Sequence, residues 1–259
     1  MIEDAGRKER FRNIRNFALY YGQGREKELS GFDLAVVEPL GQDTQSVKRV
    51  QEAGSLVLAY LSVLEIPAWA NELRLLNKED FLQQNGEILI NKAYGTYLAD
   101  LCSPRWRRLL NHRAGSLFYS GYDGLFLDTI GKVESDSLSR SRQDSLMMAA
   151  VEFILDLKKT FSNHLIVQNN GLEKLYRLTA NLVDGVCWEN PPFRKKESAA
   201  WVREVTGRLR QLQQKTGLKI FLLLEEKETA AVEMARKAAA ENNFILYVAP
   251  CGYVGGVNK

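Results

Sequence analysis

The chain has 259 residues, 45% of them hydrophobic and 26% charged, with 19 Gly, 6 Pro and a formal net charge of +3. That is enough apolar material for a sizeable core, and it excludes collagen, disorder and a disulfide-dense mini-protein. So slight a basic excess is a weak argument for nucleic-acid binding, and no nucleic-acid partner is expected. The longest apolar runs are strand-sized, too short for membrane insertion.

Taken in chain order, short apolar runs bounded by turn residues predict eight strands. They are 17–22 (FALYYG), 34–39 (LAVVEP), 55–63 (SLVLAYLSV), 124–130 (GLFLDTI), 164–170 (HLIVQNN), 184–190 (DGVCWEN), 219–226 (KIFLLLEE) and 244–250 (FILYVAP). Their nearly continuous hydrophobicity fits parallel strands buried on both faces. Helical spacing of apolar residues appears at 44–53, 105–119, 141–161, 199–216 and 229–242. This alternation predicts a single (β/α)8 TIM barrel over residues 1–259, with 1–15 as an N-terminal extension. A doubly wound open sheet is the alternative, but no nucleotide fingerprint follows an early strand. The stretch between Val63 and Gly124 far exceeds one crossover helix. It predicts a long insertion after strand 3, on the C-terminal face where barrels bind substrate.

Three cysteines and two histidines, scattered along the chain, are too few for a zinc cluster or a disulfide framework. No GxSxG elbow, P-loop or strand-borne GxGxxG appears, so the chemistry falls to carboxylates. Polar residues at predicted strand ends are Glu38, Ser62, Glu65, Asp128, Gln168 to Asn170, Glu189, Glu225 and Glu226. Asp128 and Glu189 each end an apolar run, where an ionised carboxylate is costly without a task or a partner. Strand alternation points them the same way as Phe126 and Cys187. A facing carboxylate pair is the minimum equipment for glycoside hydrolysis; the alternative is two buried acids, each satisfied by an Arg or Asn. Asn169 and Asn170 offer amides to a sugar or a carboxylate, or else form a turn in Asn-Asn-Gly. Trp69, Tyr94 and Tyr97 in the insertion either stack on sugar faces or pack the loop.

Several stretches carry a family resemblance: YYGQ (20–23), FDLAVVEP (32–39), LAYLSVLE (58–65), PRWRRLL (104–110), GYDGLFLDT (121–129), VQNNG (167–171) and YVAP (247–250). In this order they resemble the glycoside hydrolases of family 114, the endo-α-1,4-polygalactosaminidase group. The resemblance implies a (β/α)8 barrel, a retaining mechanism without metal or other cofactor, and a polysaccharide or oligosaccharide substrate of the α-linked galactosamine type. It carries Asp128 over as the strand-four acid and Glu189 as the strand-six acid. It also carries over Tyr20, Tyr60, Glu65 and Asp100 as substrate-site residues. Leu64 stands where relatives have Gly, and Glu225 where an aspartate-tyrosine pair is common. The basic run Arg194-Lys195-Lys196 beside Glu189 favours a neutral, N-acetylated or anionic glycan over a polycation. Carboxylate logic and resemblance together make Asp128 the nucleophile and Glu189 the acid/base, with the reverse assignment open. A glycan-binding barrel without turnover is the second reading, and a phosphosugar or nucleic-acid barrel the third. The expected protein is a monomer working in the periplasm or outside the cell. The charged start has no apolar signal stretch, so the export signal would lie outside this sequence; a cytoplasmic location is the alternative.

Overall fold

The computed structural model describes residues 2–225 and 229–258; Glu226, named above among the strand-end acids, lies outside them. Eight parallel strands form one sheet whose order follows the chain. They are β1 (Phe17–Tyr20), β2 (Leu34–Val37), β3 (Leu56–Ser62), β4 (Gly124–Asp128), β5 (Leu165–Asn169), β6 (Gly185–Glu189), β7 (Lys219–Glu225) and β8 (Ile245–Ala249). β8 comes round against β1, where the Phe17 and Tyr247 rings approach to 5.6 Å between centroids, so the sheet is a nearly closed barrel. The sequence expectation of a barrel holds.

Helix α1 (Ile2–Asn13) precedes the first strand, and seven helices fill the crossovers. These are α2 (Glu26–Leu29), α3 (Thr44–Glu52), α4 (Pro104–Tyr119), α5 (Arg140–Thr160), α6 (Leu175–Thr179), α7 (Ala199–Thr216) and α8 (Thr229–Asn242). Periodicity did not reveal α2 and α6, because each is about one turn long and too short to show a stripe. The longer helices start where local chemistry favours it. The Ser103 side chain accepts from the Arg105 and Trp106 amides ahead of α4, which carries Pro104 in its first turn. Asp43 and Ser139 do the same for α3 and α5.

Helix α1 closes the N-terminal end of the barrel. Phe11 is 3% exposed and meets Phe221 at 6.1 Å, which in turn meets Phe17 at 4.9 Å. The interior is thus a packed core of inward side chains. Three aspartates at this end set the strand register. Asp33, Asp123 and Asp184 each immediately precede an even-numbered strand. Each accepts a backbone N–H at or just before the odd-numbered strand ahead of it: Arg15 N at 2.7 Å, Val57 N at 2.9 Å and Ile166 N at 2.9 Å. Asp123 also receives Arg7 Nε at 2.9 Å and Gln51 Nε2 at 2.9 Å, which pins α1 and α3 to β4.

The insertion after β3 folds as a small antiparallel sheet of Glu65–Pro67, Thr96–Leu98 and Ile90–Asn91, with a second short hairpin. It is tied to the barrel rim by Lys132, on the turn after β4, which pairs with Glu65 at 2.7 Å. The fully buried Trp106 donates its indole N–H to Val63 O at 2.9 Å.

Replacing Asp123 with alanine removes the acceptor of the buried Val57 N–H and of Arg7 Nε at the barrel floor. The expected loss is about 2–4 kcal/mol of unfolding free energy, read from the urea midpoint of tryptophan fluorescence.

Candidate active site

Parallel pairing dictates which rim residues meet. Ser62 is in register with Asp128, Gln168 with Leu127, and Asn169 with Cys187. Asn169 on β5 therefore stands between β4 and β6, beside Asp128 and one inward step below Glu189. Strand tilt in an eight-stranded barrel levels alternate strands, so Asp128 and Glu189 face each other just above Asn169.

The amide of Asn169 joins them. Its Nδ2 donates to Asp128 Oδ1 at 2.6 Å and to Glu189 Oε2 at 2.7 Å. Those two oxygens can be no farther apart than the two bonds laid end to end. With acceptors on both sides, the amide must present its NH2 to them, which fixes its orientation. The outer oxygens have phenol donors: Tyr60 OH to Asp128 Oδ2 at 2.9 Å and Tyr253 OH to Glu189 Oε1 at 2.6 Å. Each of the four carboxylate oxygens thus holds one donor. Tyr21 wedges edge-on between the two phenols, 4.9 Å from Tyr60 and 5.4 Å from Tyr253. No described Lys, Arg or His pairs with either carboxylate.

The electrostatics are asymmetric. Burial, and then the Asp128 charge, push the Glu189 carboxyl above its ordinary value, against the pull of the Tyr253 and Asn169 hydrogen bonds. Burial first, then Asp128, raises the Tyr60 phenol; burial first, then Glu189, raises that of Tyr253. Both phenols therefore stay protonated as donors. Glu38, after β2, is half-buried and raised by burial, and it accepts from Leu40 N at 3.3 Å. Among the described residues, no group of three or more His, Cys, Asp and Glu side chains is arranged to hold a metal ion.

The rim holds its shape through a repeated clasp. Thr129, Asn170 and Asn190, the residues just after Asp128, Asn169 and Glu189, all adopt left-handed backbone. Their side chains accept from neighbouring strand ends: Thr129 Oγ1 from Val63 N and Leu64 N, Asn170 Oδ1 from Glu189 N, and Asn190 Oδ1 from Glu225 N. Asn170 is thus occupied in the rim backbone while its neighbour Asn169 reaches the acids.

Of the residues singled out in the sequence, the structure brings Tyr60, Asp128, Asn169 and Glu189 together. The others stand elsewhere. Tyr20 is 4% exposed and donates to Gln23 O at 3.1 Å, outside the barrel interior; the inward ring at that strand end is the adjacent Tyr21. Glu65 is engaged by Lys132, Asn91 and Thr96. Asp100 pairs with Arg142 and accepts from Cys102 N. Tyr97 packs edge-on against Phe81 at 5.8 Å, whereas Tyr94 is 79% exposed. The sequence reading missed Tyr21 and Tyr253. Alternation from Leu19 would have pointed to Tyr21; Tyr253 lies past the last strand, where no periodicity guides.

The profile of the glycoside-hydrolase family GH114 matches residues 5–192. No curated protein matches the chain significantly. Among solved structures, the glycoside hydrolase domain of PelA from Pseudomonas aeruginosa is similar at 22% identity, covering 93% of this chain and 96% of that one, with a TM-score of 0.74. Aspergillus fumigatus Ega3, solved in complex with galactosamine, is similar at 13% identity over 94% and 93% of the two chains, with a TM-score of 0.70. The α-galactosidase TtGalA from Thermus thermophilus, solved with stachyose, is similar at 11% identity over 93% of this chain and 62% of that one, with a TM-score of 0.62.

A raised carboxyl makes the folded state hold its proton longer than the unfolded chain does, so stability is lost as pH rises from the ordinary glutamate value through the raised one. Glu189→Gln removes that loss. The variant is expected to melt above wild type at neutral pH, with the gap closing below about pH 4; scanning calorimetry against pH reads it.

Proposed function

This chain belongs to the glycoside-hydrolase family GH114, and we propose that it is a retaining glycosidase acting on an α-linked, galactosamine-containing exopolysaccharide outside the cytoplasm. The observation that carries the mechanism is the single Asn169 nitrogen bonded to both acids. Retention needs carboxyl groups roughly 5–5.5 Å apart, and inversion about 6.5–9.5 Å to admit a water between them. Bonds of 2.6 and 2.7 Å to one nitrogen keep the facing oxygens closer than the inverting separation, which supports retention.

In the first step an Asp128 oxygen bonds to the anomeric carbon as the glycosidic C–O bond breaks, and the Glu189 proton passes to the departing oxygen. The raised Glu189 carboxyl keeps that proton available. In the second step Glu189 takes a proton from water, the water oxygen bonds to the anomeric carbon, and Asp128 leaves. Tyr60 and Asn169 hold the Asp128 oxygens for in-line attack.

Two charge features oppose each other in the choice of sugar. Arg194, Lys195 and Lys196 are exposed, where solvent and salt weaken them. Asp128 and Glu225 stand at the mouth in half-buried positions, where a charge acts more strongly. The carboxylates outweigh the basic run, so an amino sugar with a free ammonium is the favoured occupant. Ega3, the similar fold solved with galactosamine, supports that choice.

On a partially de-N-acetylated α-1,4-galactosamine polymer, wild type should release reducing ends with retained configuration by NMR. Asp128→Asn should lower the rate by about 10³ or more. Glu189→Gln should accumulate the glycosyl-enzyme from a substrate with an activated leaving group, and azide should restore its turnover. Binding without release by wild type would make the protein a glycan-binding barrel, and wild-type rates in both variants would remove the two acids from the chemistry.

A further inference from the structure

The segment after β8 contributes a side chain to the site from beyond the residues that the family profile matches. Pro250 leads into a tight turn in which Gly252 (φ 73) and Tyr253 (φ 59) are both left-handed. Glycine enters that region freely; a bulky aromatic does so at a cost, and such outliers persist where surroundings enforce them and the side chain has a task. Here the turn is enforced from three directions. Tyr21 N donates to Tyr253 O at 2.8 Å, Gly252 N donates to Glu225 Oε1 at 2.7 Å, and Tyr253 N donates to Pro250 O at 3.1 Å. β1, β7 and β8 thus each supply an anchor.

The product of that geometry is one short bond, Tyr253 OH to Glu189 Oε1 at 2.6 Å. Asn190 Nδ2 donates to the same phenol oxygen at 3.1 Å, which occupies its acceptor side and leaves its proton for the carboxylate. The Tyr21 ring packs edge-on against the phenol ring and limits its swing.

We propose that Tyr253 is the positioning residue for Glu189, holding the carboxylate in the one pose from which it delivers a proton to the leaving oxygen and recovers one from water. The inference rests on Glu189 being the acid/base. A hydroxyl that donates to the carboxylate favours its ionised form, so the same contact sets where Glu189 titrates. Besides the Asn169 amide, the titratable groups facing Glu189 are Asp128 from β4, Tyr21 from the end of β1, Glu225 from β7, Tyr253 itself and, beneath it on its own strand, Cys187. Tyr253 is the only one of these titratable groups that donates a hydrogen bond to Glu189.

The test is a carbon-13 NMR titration of glutamate side-chain carboxyls in the full chain, with the Glu189 signal assigned by Glu189→Gln. Tyr253→Phe keeps the ring against Tyr21 and removes only the hydroxyl. The Glu189 midpoint is expected to rise by roughly one unit, the size of one charge-assisted hydrogen bond. The alkaline limb of kcat/KM on the de-N-acetylated galactosamine polymer should move up with it, while kcat falls about tenfold and KM stays near wild type. Incorporation of 3-fluorotyrosine at position 253, a stronger donor of nearly the same shape, should move the midpoint down; it also serves if the phenylalanine variant does not fold. A Glu189 midpoint that moves with neither replacement overturns the proposal. Wild-type rates in Glu189→Gln would instead overturn the acid/base reading, whatever the titration shows.

Discussion

Two carboxylates brought within reach of each other repel, and in a half-buried cleft water does little to relieve them. One amide nitrogen with two protons is what allows the pair here. Asn169 gives one N–H to each acid, and it reaches both because β5 runs between β4 and β6. The barrel fixes that adjacency, and the tilt of its strands sets the heights. Tyr60 and Tyr253 then complete the donors from outside the pair. Other properties of the site follow from this arrangement: the short spacing, the part of the upward Glu189 shift that comes from the Asp128 charge, and the ordering of the Asp128 oxygens.

The two ends of the barrel divide the work. At the floor, Asp33, Asp123 and Asp184 spend their carboxylates on strand register, each with a backbone donor. At the rim, register is held by Thr129, Asn170 and Asn190, whose side chains clasp neighbouring strands from left-handed backbone. Because those clasps stand one residue past Asp128, Asn169 and Glu189, the side chains of these three are left for each other. Gly131 shows how closely the rim turns meet: a Cβ there would lie 2.6 Å from Gly171 N. The turn after β4 and the turn after β5 can touch only because that position has no side chain.

The long insertion uses its acids internally. Glu65 with Lys132 and Asp100 with Arg142 bind it to the turn after β4 and to the start of α5. Phe81 and Tyr97 pack within it, while Trp69 and Tyr94 remain exposed. Acids that match a family pattern can therefore serve as anchors of a loop rather than as sugar contacts, since burial next to a cation already consumes their charge.

Fold class, the insertion and the two strand-end acids were legible in the sequence, because strand alternation and helical spacing are local and a carboxylate ending an apolar run is conspicuous by its cost. Asn169 and Asn170 were legible only as a pair: both are short amides in a turn, and backbone handedness decided which one faces inward. Tyr20 and Tyr21 were similarly ambiguous, because a strand's phase at its end depends on where pairing stops. Tyr253 carried no signal at all, since its partner is 64 residues away and only barrel closure brings the last segment beside β6. The amino-acid sequence by itself determined the barrel and the identity of its acids. The tertiary structure decided which neutral donors stand between and beside those acids, because hydrogen-bond partners across a barrel are set by strand register and tilt, which no local pattern encodes.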